Sequence, residues 1–255
     1  MSGSAAAPPI QAIVAMTATE LRLALRRGEN LFATIVIPTI VLVLFSSVSI
    51  LPTGTRRPVD FLLPGSIALG IIATSFVSLG ITTAYDRSYG VLKRLGGSPL
   101  SRAELVAARV LTVLVVEAAQ VALLVGTAVV VLGWSPGPGW SPQIAVVAVL
   151  LGTAAFAGLG LLLAGTLRAE TVLAFANLLF LGFLVVGGVI VPIERLPGPL
   201  AAVGAALPAA PLSEVLRFAL GSGGPAIADP TGSVVLLGAW AIGALATASA
   251  TFRWE

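Results

Sequence analysis

The chain contains no cysteine and no histidine. Without cysteine there is no disulfide framework, no thiolate nucleophile and no iron–sulfur cluster, and the count gives no clue to redox compartment. Without histidine, every Ser-His triad and most zinc chemistry are excluded, and with them intramembrane proteases built on a Ser-His pair or on His-Glu-x-x-His. Charge is scarce as well. Only 10% of the 255 residues are charged, whereas soluble domains carry roughly 25%. There is a single lysine, Lys93, and it follows Leu92. An ATP-binding P-loop requires Gly-Lys-Ser/Thr, so this chain cannot hydrolyse ATP through such a loop. Glu117 stands almost alone within the apolar segments, which is too little acid and base for a proton-coupled carrier.

What fills the chain is apolar: 57% of the residues are hydrophobic, and the mean hydropathy is +1.05. A soluble core of this size cannot hide that much apolar surface, so lipid must cover it. The expectation is an all-α integral membrane protein forming one domain over 1–255. The apolar segments of spanning length are 31–51, 61–84, 104–132, 144–167, 171–191 and 233–251, six in all. Residues 1–9 lack the positive start of a secretory signal peptide, and no cleavage is expected. Over 10–28 the apolar Ile10, Ile13, Val14, Leu21 and Leu25 recur at helical spacing, with Gln11, Glu20, Arg22, Arg26 and Arg27 on other faces. This reads as an amphipathic helix in the membrane interface, the alternative being a charged flank that merely orients the first span.

The densest polar stretch, 85–104, lies between spans two and three. It reads either as a docking element for a soluble partner or as an ordinary solvated loop. Its Gly96-Gly97-Ser98-Pro99 run should break a helix, and Ser101-x-x-Glu104 has the form of a capping box that starts the next one. Trp134 to Pro142 is rich in turn residues and bracketed by two indoles suited to the headgroup level, which marks a membrane exit. Span five carries Asn177, Gly182, Gly187 and Gly188, small enough to admit a neighbouring helix. Gly158-Leu159-Gly160 reads as helix packing. From 192 to 220 prolines cut the chain into pieces too short to span, and two half-helices that dip into the outer leaflet and return are the simplest solution. Arg217 would then lie at bilayer depth and need backbone carbonyls or an acid, Glu214 or Glu194. Glu117, with Gln120 one turn later, needs a hydrogen-bond partner on its own or another helix, or else contacts cargo. If 85–104 is cytoplasmic, Arg22, Arg26, Arg27, Arg87, Lys93, Arg94, Arg102, Arg109, Arg168 and Arg253 lie inside, and Arg56, Arg57, Arg195 and Arg217 outside. Ten against four obeys the positive-inside rule and puts both termini in the cytoplasm.

Two separated motifs carry a resemblance. Asp86-Arg87-x-x-Gly90-Val91-Leu92-Lys93-Arg94-Leu95, followed by Ser98-Pro99-Leu100-Ser101-Arg102, is similar to the acidic-Arg-x-x-Gly-Thr-Leu-x-x-Leu and Thr-Pro-Leu-Ser-Arg signature of ABC-2 type exporter permeases, with Val91 and Ser98 in place of the usual threonines. Gly187 to Pro197, then Leu207-Pro208 and Leu216-Arg217, resembles the run before that family's last span. The likeness extends over nearly the whole chain and is nearest to the daunorubicin-resistance-like branch. It implies two permease copies, as a homodimer or heterodimer, with two ABC ATPase subunits that hold the ATP and Mg; this chain itself binds no cofactor. It further implies that 85–100 is a coupling helix on the ATPase, its contacts made by Asp86, Arg87, Gly90, Leu92, Lys93, Arg94, Leu95, Ser98 and Pro99. Glu20, Arg22, Arg26 and Arg27 would belong to a connecting helix beside it. Residues 192–220 would be an outer gate with Pro192, Glu194, Pro197, Pro208 and Arg217, and cargo would leave between spans one, two and five. Glu117, Gln120 and Asn177 remain as intramembrane polar groups. The role is mechanical and not enzymatic, in a bacterial plasma membrane, with membrane lipid but no nucleic acid as a partner. An amphiphilic drug or lipid is the expected cargo. The alternatives are a lipid-linked glycan or a membrane anchor that transports nothing.

Overall fold

The computed structural model describes residues 8–26, 28–48, 57–96, 101–222 and 229–251. Among these residues there are helices and no strands. In order they are α1 (Pro9–Arg26), α2 (Gly28–Val48), α3 (Pro58–Ile71), α4 (Leu79–Ser88), α5 (Val91–Gly96), α6 (Arg102–Val130), α7 (Pro142–Thr166), α8 (Ala169–Val186), α9 (Gly198–Ala206), α10 (Ala209–Ala219) and α11 (Thr231–Thr251). A π-helical segment, Ile72–Ser78, joins α3 to α4 without a break, so Pro58–Ser88 is one rod of 31 residues. Together with α6, α7, α8 and α11 it makes, among the described residues, five helices long and apolar enough to cross a membrane, or six if the bent pair α9 and α10 is one span. In addition α2 runs for 21 residues and holds the apolar stretch Ile35–Ser47. The chain is a multi-pass helical membrane protein.

The rod is the centre of the bundle. Of its most apolar stretch 83% is buried, against 22% for α8 and for α11. Lipid tails are as apolar as leucine, so burial of apolar surface does little to hold such helices together, and close packing and polar ties must do it. At the middle, Phe76 of the π-helical segment, Phe156 of α7 and Phe183 of α8 meet edge to face, with ring centroids 5.4 to 6.4 Å apart. Each such pair is worth about 0.5–1.5 kcal/mol beyond its area. Nearby, Gly160 lets α7 lie against the rod: a Cβ there would fall 2.7 Å from the Phe76 carbonyl oxygen. Two residues before it, on nearly the opposite face of α7, Gly158 does the same for α11, where a Cβ would meet the Ala244 carbonyl carbon at 2.7 Å. The Gly158-Leu159-Gly160 step therefore serves helix packing on two sides.

Several expected boundaries move, each for a local reason. Helix persists through Tyr85–Ser88 because nothing in that run breaks it. The break comes at Gly90, whose φ of 71° suits glycine. Residues 85–96 are thus the last turn of the rod, a two-residue turn and the short α5, not one helix, and the rest of the expected coupling helix, 97–100, lies outside the described residues. Span five ends at Val186, five residues early, and 187–191 is irregular chain that turns on Gly188, with φ 68°. Gly182 meets nothing within 4 Å among the described residues, so no described helix packs on it. Trp140 is exposed, whereas Trp134 is 5% exposed and packs into the core. The capping box forms as read: the Ser101 amide donates to Glu104 Oε2 (2.6 Å) and the Glu104 amide to Ser101 Oγ (3.3 Å). The 192–220 segment forms a single turn at Ile193–Arg195, then α9 and α10, which bend by 77° at Leu207-Pro208.

The ends of the bundle sort by side. One end gathers the start of α3, the 133–141 loop, the 187–222 segment and the start of α11. The other gathers α1, the end of α4, α5, the start of α6 and the end of α7.

A charged cluster joining three helices

The rod's last turns place Thr83 and Asp86 on one face, because residues three apart on a helix are neighbours. Facing them is Arg109, in the second turn of α6 and only 3% exposed. Its Nη1 donates to Thr83 Oγ1 at 2.6 Å and its Nη2 to Asp86 Oδ2 at 2.5 Å. The same Nη2 lies 3.8 Å from Glu20 Oε1 of α1. The Asp86 and Glu20 side chains keep 23% and 21% of their surface, so the acids stay partly hydrated while the arginine does not. Thr17, three residues before Glu20, donates to the Ala108 carbonyl at 3.3 Å and fixes α1 against α6 at the same level. One planar guanidinium thus ties α1, α4 and α6. Arginine can do this because its donors are rigidly splayed, which a lysine could not match.

Neighbouring charges divide into inward and outward groups. Arg87 is half-buried and donates to the carbonyl of Leu167, the residue that ends α7. A cation at a helix C-terminus is favourable there. Past the Gly90 turn, Leu92 of α5 is fully buried and holds the short helix down, while Tyr89, Val91, Lys93 and Arg94 are exposed. Tyr85 and Tyr89 lie ring to ring, with centroids 5.8 Å apart. Of the residues read as docking contacts, then, Asp86, Arg87 and Leu92 face the protein and Lys93 and Arg94 face water. The Leu95 side chain, Ser98, Pro99 and Arg27 lie outside the described residues. Arg22 and Arg26 are exposed on α1.

The sequence profile of the ABC-2 type transporter family matches residues 11–220, well over half of the chain. The chain belongs to this family. No curated protein matches it. In this ABC-2 permease the charged cluster falls inside the matched region and includes a residue that sequence reading passed over. Arg109 counted only as one more inside charge. Its signal was a lone arginine one turn beyond Leu105 in an apolar helix, opposite a Thr83-x-x-Asp86 pair.

At the permease's other end, Arg217 of α10 is held by main-chain carbonyls. Its Nη2 donates to the carbonyls of Gly188 (2.5 Å) and Val189 (3.3 Å), its Nη1 to Ser213 Oγ (3.4 Å), and its guanidinium lies 4.0 Å over the Phe61 ring. It forms no ion pair with Glu214 or Glu194; Glu214 instead accepts from Ser233 Oγ at 2.7 Å, at the start of α11. Carbonyls satisfy Arg217 because the 187–191 chain has left helical geometry and points them inward. Pro192 and Pro208 are buried at the turns, whereas Glu194 and Pro197 are exposed.

Between the ends, Glu117 of α6 is fully buried, and the bonding partner of its Oε2 is the Thr153 hydroxyl of α7. Of the partners weighed for it, the one on another helix is used and Gln120 is not. Gln120 lies against Gly70 of the rod, where a Cβ would fall 2.5 Å from its Nε2. Asn177 of α8 is exposed and, among the described residues, bonds to its own helix, through Nδ2 to the Leu173 carbonyl at 2.7 Å.

Proposed function

We propose that this chain is the membrane half of an ATP-driven exporter of the daunorubicin-resistance-like kind, worked by a separate ATPase. The observation that carries the reading is Arg109. A buried cation joins the end of the rod to α1 and α6 directly behind an exposed basic patch, Tyr89, Val91, Lys93 and Arg94. The exposed residues meet the ATPase, and the buried ones pass its movement to three helices together. Two ATPase subunits hold ATP and Mg and serve two permease copies. Asn177 supports the pairing: an amide exposed midway along a span is costly against lipid, and a second copy or the passage between copies gives it a polar neighbour. The 192–220 segment is the outer gate, latched by Arg217. Few fixed charges lie at bilayer depth, which favours an amphiphilic drug or lipid as cargo. Orientation follows the arginines, with both termini in the cytoplasm of a bacterium and the charged cluster at the inner surface.

The test is transport by the permease expressed with its ATPase. Charge reversal at both Lys93 and Arg94 is expected to abolish ATP-dependent export while insertion and thermal stability stay at the wild-type level. Export that persists unchanged in the double reversal rejects the docking surface.

A further inference from the structure

Helix α1 has three sides, not two. At about 100° per residue, Thr17 and Glu20 point toward α6, where they bond to Ala108 and Arg109. The next side holds Ile10, Val14 and Leu25, within about 60° of one another by the same spacing. These three are 75%, 56% and 67% exposed, so no part of the described protein covers them. The third side holds Arg22 and Arg26, both exposed. The single acid of α1, Glu20, is spent on Arg109, and the outward sides are left with arginine and no counter-charge.

An apolar stripe bordered by arginines has one natural depth, with the stripe among acyl chains and the guanidiniums at the phosphates. Guanidinium binds phosphate by paired hydrogen bonds as well as by charge. We propose that α1 is a binding surface for anionic lipid headgroups, with Arg22 and Arg26 as the phosphate contacts. Because Glu20 on the same helix pairs with Arg109, the seating of α1 on charged lipid sets the position of the cluster behind the docking patch. This second step rests on the coupling role proposed above, whereas the lipid contact does not.

The purified full chain is reconstituted in nanodiscs of phosphatidylcholine mixed with phosphatidylglycerol, and the lipids that remain bound on mild detergent extraction are counted by native mass spectrometry. The wild type is expected to retain phosphatidylglycerol preferentially. The preference should fall about fivefold for each of Arg22→Gln and Arg26→Gln and weaken with added salt. Equal preference in the wild type and the double variant overturns the proposal. So does a double variant that keeps its lipid preference but no longer co-purifies with the ATPase, since the arginines would then face protein. The Lys93 and Arg94 reversal should leave lipid retention untouched, so failure of the coupling role and failure of the lipid site give different results.

Discussion

The two ends of this permease are fastened by different chemistry. At the charged end the ties between helices are side chains: Arg109 to Asp86, Thr83 and Glu20, and Arg87 to the end of α7. At the opposite end many of the ties use main chain. The Gly137 amide donates to the Leu220 carbonyl (3.2 Å) and the Ser141 amide to the Ala219 carbonyl (2.8 Å), joining the 133–141 loop to the end of α10. Beside these main-chain pairs, Arg57 reaches the Gly133 carbonyl at 3.2 Å and the Trp240 indole the Ala206 carbonyl at 2.9 Å, side-chain ties of the same kind as that of Arg87. Side-chain ties can be lost one substitution at a time, and long side chains can stay in contact while helices shift. Main-chain ties tolerate most side-chain changes but fail when the backbone path is altered. The first kind suits a place that receives motion, and the second a place that must keep its shape.

The largest effect should come from Arg109→Met, which leaves Asp86 and Glu20 facing each other without their cation. Breaking a buried pair typically costs 3–5 kcal/mol, and about 3 kcal/mol is expected here because both acids keep some water. Thermal unfolding in detergent should show it, and Asp86→Leu in the same chain should restore part of the stability without restoring ATP-dependent export. At the other end Gly221→Ala should cost about 2 kcal/mol, since Gly221 has φ 64° and its Cβ would lie 2.7 Å from the Gly137 carbonyl. An alanine variant that unfolds at the wild-type temperature would erase the contrast between the ends.

Arg217→Lys keeps the charge but loses the planar fork on two carbonyls and the stacking on Phe61, for about 1–2 kcal/mol. Single cysteines near Ser213 should then react faster with an impermeant thiol reagent, and an unchanged rate would show that Arg217 does not hold the segment. The smallest effect concerns Asp229, whose carboxylate is held below the ordinary range by hydrogen bonds from the Thr231 hydroxyl and amide at the start of α11. A depressed pKa in the folded state stabilises above the ordinary carboxylate pKa, and that contribution is lost as pH falls through the folded value. Lowering pH from neutral into the acid range should therefore reduce the melting temperature slightly more in the wild type than in Asp229→Asn.

Much of the fold was legible because its signals are local. Length and hydropathy located the long apolar helices, the Ser101/Glu104 reciprocal cap marked the start of α6, and the prolines at 192, 197 and 208 marked where helix breaks. The π-helical segment was not legible, since Ile72–Ser78 has the composition of ordinary helix and its geometry answers to Phe156 and Phe183 on other helices. The candidate site was read only in part. Asp86 and Arg87 looked like surface charges because sequence shows that a residue is charged but not which way its helix is turned. Arg109, Thr83 and Glu20 are separated by long stretches of chain and become neighbours only when α1, α4 and α6 pack. Likewise, carbonyls as the partners of Arg217 depended on where α8 stops.

The unbroken rod from Pro58 to Ser88 touches both fastenings, with Phe61 under Arg217 near one end and Thr83 and Asp86 under Arg109 near the other. Mechanically it is a shaft with a fitting at each end, sheathed for most of its length by other helices. In the coupling proposed above, such a shaft would carry a movement at one fitting to the other. A shift imposed at Asp86 would then reach the Phe61 ring beneath the guanidinium, less whatever the seven π-helical residues absorb. If the rod couples the two ends in this way, its stiffness at Ile72–Ser78 sets how much of the movement arrives.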